Sequence, residues 1–99
     1  MAIEITFRHI TELGHGTREH AQALGEALMA EFPSIENIHV IVSKDGGLFF
    51  AEVGVQGGRG MNAEGKEKDA DGCHAIGMAF KHAERQLRKH LEKLHEHRA

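Results

Sequence analysis

The sequence predicts an α+β fold: a two-layer β-α-β-β-β-α sandwich whose two helices cover one face of a four-stranded mixed sheet. Three observations support this expectation. Apolar and polar residues alternate near the start of the chain and again in its middle, two longer segments repeat apolar residues at the helical period, and short turn sequences join the later strands. Short hairpins would make strands two to four antiparallel, and the helical crossover would make strand one parallel to its neighbour.

The first strand and the first helix come from the first third of the chain. Apolar and polar residues alternate over residues 3–7, which is the period of a half-buried strand. After a loop, Thr17 is expected to cap a helix, and Pro33 is expected to end it. The apolar positions of this helix are Ala21, Leu24, Leu28 and Phe32.

Three further strands are expected in the middle of the chain. Residues 38–43 are rich in β-branched side chains, and residues 48–56 place apolar side chains on one face. Residues 44–47 have the composition of a hairpin turn between these two strands. A weaker fourth strand is expected at about residues 60–64, followed by a charged loop over residues 65–72.

The second helix is predicted to be long and amphipathic. Asp71 is a plausible N-cap, and apolar residues follow the helical period for about five turns. The apolar stripe consists of Ile76, Phe80, Ala83, Leu87, Leu91 and Leu94. The opposite half carries five cations, which are Lys81, Arg85, Arg88, Lys89 and Lys93.

Charge is unevenly distributed along this chain, although its formal net charge is −3. Residues 1–73 hold six Lys/Arg against twelve Asp/Glu, whereas residues 74–99 hold six against three. His74 and His82 fall on the same side of the second helix as its cations and would add positive charge at mildly acidic pH. A polyanion such as RNA is therefore a candidate partner for this helix. The structural alternative is a solvated helix face with ion pairs along the helix.

Enzymatic, metal-binding and membrane functions find little support in the sequence. Cys73 has no second cysteine for a disulfide or zinc site, and a helix-start cysteine is more simply a small, partly buried residue. His74, His82 and His90 recur every eight residues, about 12 Å apart, which is too far for one ion. Residues 57–60 lack the Lys-Ser/Thr of a phosphate-binding loop. We therefore expect one cytoplasmic domain over residues 1–99, with no catalysis, no cofactor, no metal and no membrane partner.

Several motifs occur together in one order along the chain. They are VGVQGG at residues 53–58, AEG at residues 63–65, Asp71 followed by Ala-Ile at residues 75–76, and RQLRKH at residues 85–90. Over nearly its whole length the chain resembles the ribosome hibernation-promoting factor family, also called ribosome-associated inhibitors or sigma-54 modulation proteins, in its short form. That resemblance implies a fold related to double-stranded RNA-binding domains, which recognise RNA by shape and by backbone contacts.

The resemblance also implies a function. Family members sit in the messenger channel of the small ribosomal subunit, across the tRNA sites of the decoding region, where they block initiation and preserve idle ribosomes. The expected partners are thus the small subunit and its ribosomal RNA, not DNA. Whether bound ribosomes are paired or kept single stays open. The alternative is a protein-interaction or metal-responsive module that kept the fold but lost RNA binding. The expected RNA-binding residues are Arg18, His74, Lys81, His82, Arg85, Arg88, Lys89 and Lys93.

Overall fold

The structure, a computed structural model, describes residues 2–8, 10 and 14–97. Its elements follow the order β-α-β-β-β-α and form one four-stranded sheet with two helices, which confirms the predicted fold class. The sheet order is β1-β2-β3-β4; β1 pairs parallel with β2, and the other neighbours pair antiparallel. The elements are β1 (Ala2–Arg8), α1 (His15–Glu31), β2 (Ile35–Asp45), β3 (Leu48–Gly57), β4 (Asn62–Asp69) and α2 (Gly72–His97).

The core lies between the sheet and the two helices. Both helices contact the sheet and each other, α1 against β1 and β2, and α2 chiefly against β3 and β4. Alternate residues of the central strands are buried, so the helices cover one sheet face, whereas residues on the other face are half-buried or exposed. The largest fully buried side chains are Ile35, Ile38, Ile76, Leu87, Val40, Val42, Val53 and Val55. Leu94, which was expected in the apolar stripe, lies outside the side chains that the structure describes.

The fourth strand differs from its prediction. It spans Asn62–Asp69 and therefore includes most of the segment expected to be a charged loop. Its residues alternate between a covered and an exposed face, as expected of a strand. On the covered face, Ala63 and Gly65 are buried, and Glu67 and Asp69 are half-buried. Because neither glycine nor a carboxylate is typical of a buried strand face, the alternation is hidden in the sequence.

The start of the first helix also differs from its prediction. The helix begins at His15 with Gly14 as N-cap, and no side chain bonds to the cap, so the expectation that Thr17 caps this helix is wrong. Thr17 lies inside the helix, and its hydroxyl oxygen is 3.6 Å from the Cys73 sulfur at the start of α2. Thr17 thus links the two helix starts. The end of α1 is as predicted, since the helix stops at Glu31, two residues before Pro33.

The long second helix is capped as expected. The Asp71 carboxylate accepts hydrogen bonds from the backbone N–H groups of Cys73 and His74, at 2.9 and 3.4 Å. These are two of the donors that the first turn of a helix leaves without an intrahelical partner. The helix therefore has a fixed start directly after β4.

Close contact between α2 and β4 depends on a single glycine. An ideal Cβ on Gly65 would lie 1.8 Å from the carbonyl oxygen of Ala79 and 2.8 Å from the backbone nitrogen of Ala83. No real side chain tolerates such distances, so the absence of a side chain lets the helix backbone lie directly on the strand. This contact sets the width of the space between β4 and the exposed face of α2.

Of the helices in the part of the chain that the structure describes, none has the length and apolar character needed to cross a membrane.

Candidate nucleic-acid interface

Four exposed cations form a line along α2. Lys81, Arg85, Lys89 and Lys93 follow one another at four-residue intervals, which keeps them on neighbouring turns of one helix face. Among the residues whose side chains the structure describes, none of the four forms an ion pair. We call these four residues the basic stripe. Their charges are available to a polyanion.

A groove runs between the basic stripe and the free edge of β4. Its volume is about 470 Å³, and it opens to solvent. The strand contributes Lys66, which the sequence predicted to lie in a charged loop and not among the RNA-binding residues. No local signal marks Lys66, because its place beside the groove depends on the packing of β4 against α2. The groove is lined by Glu64, Gly65, Lys66, His82, Arg85, Gln86 and Lys89.

Arg88 points away from this groove toward the first helix. Its guanidinium pairs with Glu31 at the end of α1 and lies 3.8 Å from Glu84, one turn earlier in α2. The same group stacks over the Phe32 ring at 5.5 Å from the ring centre. The structure thus gives Arg88 a role in joining α1 to α2, whereas the sequence analysis grouped it with the RNA-binding cations.

His74 and His82 pair with carboxylates of β4. The His74 ring lies 2.7 Å from the Asp69 carboxylate, and the His82 ring lies 3.3 Å from that of Glu67. The side-chain oxygen of Gln86 accepts a hydrogen bond from the Glu64 N–H at 2.9 Å. These three contacts connect one side of α2 to β4. Of the two histidines, only His82 lines the groove.

Asp69 is the best-anchored of these carboxylates. It accepts a hydrogen bond from the Asp71 N–H at 2.8 Å. This bond and then the bond to His74 hold the pKa of Asp69 below its usual range. The ionised carboxylate of Asp69 therefore bonds both to the turn before α2, at Asp71, and to the first turn of that helix, at His74.

The lowered pKa of Asp69 predicts how stability depends on pH. A lowered folded-state pKa means that the stabilisation is present above the pKa of an unfolded aspartate, about 3.9, and is lost as pH falls through the folded-state value. We expect the wild type to be more stable than Asp69→Asn at about pH 5, and the difference to narrow progressively below about pH 4. Equilibrium urea unfolding at several pH values measures the difference in the free energy of unfolding between the two proteins. A difference in stability that stays constant down to about pH 2 would contradict a stabilising role for the ionised Asp69 carboxylate.

Arg18 contacts the first strand. Its guanidinium donates a hydrogen bond to the Ile5 carbonyl oxygen at 2.8 Å and lies over the Phe7 ring, 4.6 Å from the ring centre. These contacts attach the start of α1 to β1. Of the eight residues expected to bind RNA, the structure thus aligns the four of the basic stripe and gives Arg18, His74, His82 and Arg88 partners within the chain.

No group of three or more metal-ligating side chains is found among the residues that the structure describes. The eight-residue spacing of the α2 histidines places His74 and His82 beside different carboxylates, Asp69 and Glu67, instead of beside each other.

The fold is similar to those of two solved structures. A ribosomal subunit interface protein from Coxiella burnetii superposes with a TM-score of 0.82 at 18% identity, over 93% of this chain and 99% of that chain. The N-terminal domain of Protein Y from Thermus thermophilus superposes with a TM-score of 0.75 at 25% identity, over 90% of this chain and 98% of that chain. The sequence search against curated proteins gave no significant match.

The family comparison covers almost the whole chain. Residues 3–95 match the profile described as sigma 54 modulation protein / S30EA ribosomal protein. This match begins in β1 and extends into the last turns of α2, so it includes every element of the fold. The chain belongs to the sigma 54 modulation protein / S30EA ribosomal protein family.

Proposed function

We propose that this chain is a ribosome-associated hibernation factor, which binds the small subunit near the decoding region and the messenger channel and catalyses no reaction. The family description names a ribosomal protein, and the Coxiella burnetii neighbour is described as a ribosomal subunit interface protein. The observation that carries the proposal is the basic stripe. Four cations without carboxylate partners among the described side chains line one helix face of a chain whose net charge is −3.

The electrostatics favour RNA backbone as the ligand of this surface. Exposed cations that neutralise phosphates release condensed counterions, which supplies much of the affinity of such complexes. Aromatic residues suited to base stacking are few, since the chain has five phenylalanines and neither Trp nor Tyr. Recognition through phosphates and shape therefore fits this surface better than recognition of unpaired bases.

The proposal is tested by co-sedimentation with purified small subunits across a series of salt concentrations. If each residue of the basic stripe neutralises one phosphate, the logarithm of the binding constant should fall against the logarithm of salt with a slope of about −3 to −4. Absence of co-sedimentation at low salt would overturn the proposal. In that case, recovery of a protein partner or of stoichiometric zinc with the chain would favour the interaction-module alternative.

A further inference from the structure

The sheet face that the helices do not cover carries a depression whose floor is Gly54. A Cβ placed on this glycine of β3 would meet nothing within 4 Å. In the strand register, Gly54 lies between His39 of β2 and Glu64 of β4. Because glycine has no side chain, the side chains around it enclose an open space of about 220 Å³, which we call the Gly54 depression.

Two carboxylates border the Gly54 depression. Glu52 precedes Gly54 by two residues on the same face of β3, and Glu64 lies directly across from Gly54 on β4. Glu52 and Glu64 are thus diagonal neighbours, whose Cα atoms are typically about 7–8 Å apart, so one planar guanidinium could bond to both carboxylates. Neither carboxylate forms an ion pair with a described side chain, although Lys66 is in register with Glu52.

The neighbouring positions on this sheet face supply little positive charge. His39 is already paired, since its ring nitrogen lies 3.3 Å from the carboxylate of Glu4 on β1. The next row toward the end of the sheet is uncharged and offers amide groups, from Asn37, Gln56 and Asn62. Phosphate is therefore a poor occupant of the Gly54 depression, because the two carboxylates would repel it.

The size and the chemistry of the depression favour a single cationic side chain. A metal ion lacks ligands here, because no group of three or more metal-ligating side chains is found among the described residues. The volume of about 220 Å³ is below the roughly 300–1,000 Å³ of pockets that hold drug-sized ligands. Arginine suits this space better than lysine, because its planar guanidinium has several fixed donors and can bridge two carboxylates.

We propose that the open sheet face docks a basic segment of a partner protein, with one arginine side chain of that segment in the Gly54 depression, bonded to Glu52 and Glu64. Charge complementarity between the carboxylates and the segment supports this occupant. The basic stripe lies on α2, in the layer on the other side of the sheet, so RNA and the partner would not compete. The inference does not rest on the proposed function.

Binding of a fluorescent peptide of alternating arginine and serine to the free chain tests this site. We expect Glu52→Gln and Glu64→Gln each to weaken binding about five- to tenfold at low salt. Gly54→Val should weaken it by at least about tenfold, because the added side chain fills the depression without changing the charge. A peptide with lysine in place of arginine should bind several-fold more weakly, because lysine cannot bridge two carboxylates.

Glu26→Gln is the matched charge control, since Glu26 is an exposed glutamate of α1, in the helix layer. It should bind the peptide within about twofold of the wild type. Equal losses for Glu26→Gln and Glu52→Gln, or wild-type binding by Gly54→Val, would overturn the proposal. Salt-sensitive oligomers of the free chain that Glu52→Gln disperses would also overturn it, because the occupant would then be a second copy. The peptide test involves no ribosome, so its failure leaves the proposed function standing.

Discussion

Replacing Gly65 with alanine is expected to lower the free energy of unfolding by about 3 kcal/mol, the largest stability effect that we predict for a single added methyl group. The added Cβ would overlap the backbone of α2 at Ala79 and Ala83. Backbone atoms cannot rotate away as a side chain can, so the helix must shift and loosen the core beneath it. A loss of this size is a large fraction of the roughly 5–15 kcal/mol that stabilises a typical domain.

Equilibrium denaturant unfolding measures this loss, and Gly54→Ala is the matched control. Gly54 is also a strand glycine, on β3, but a Cβ there would meet nothing within 4 Å. Alanine at this position should therefore be neutral or stabilising by about 0.5–1 kcal/mol, because it reduces the freedom of the unfolded chain. Similar stability losses for the two variants would show that the contact between α2 and β4 is not the cause.

The combined charge reversal Arg85→Glu and Lys89→Glu is expected to weaken binding to small subunits by at least about a hundredfold. Both residues lie in the middle of the basic stripe and line the groove. Each reversal removes a phosphate contact and also adds a like charge facing the RNA backbone, so the two effects act in the same direction. Co-sedimentation at fixed low salt measures the loss.

The control for this double variant is Arg8→Glu with Lys44→Glu. It changes the net charge by the same amount, but at the opposite end of the sheet, where Arg8 pairs in register with Ser43 on β2. If long-range attraction alone drove binding, the two double variants would weaken it equally. We expect the control to bind nearly as well as the wild type, and equal losses would contradict a localised site. Circular dichroism on both variants verifies that each remains folded.

The strands and helices with strong periodicity are predictable from the sequence alone. β1 and β3 show the alternation that a half-buried strand requires, and α2 shows both an apolar stripe and a capping aspartate. β4 is less predictable because its covered face begins with Ala63 and Gly65 and ends with carboxylates. The partners that make this face acceptable, His74 and His82, lie in another element, and local sequence does not show them.

Only part of the candidate site is predictable from the sequence. The spacing of the α2 cations reveals that one helix face is basic, but spacing along a helix cannot show which cations have partners elsewhere. Arg88 pairs with Glu31, which is 57 residues away in the sequence, and Arg18 bonds to the Ile5 carbonyl. The groove was missed for the same reason, since β4 and α2 border it only after the strand has packed beneath the helix.

The hydrogen bonds at the edge of β4 have a consequence for self-association. An open sheet edge is a template on which another copy of the same chain could add a strand, and unlimited repetition of that step leads to aggregation. In β4, the Glu64 and Lys68 N–H groups donate to side chains of the same molecule, and lysines project from the exposed face of the strand. Donors that are already occupied, together with like charges that would face each other, raise the barrier to pairing between copies at this edge. The bond from Gln86 to β4 therefore both fixes the groove and helps the sheet to end at four strands.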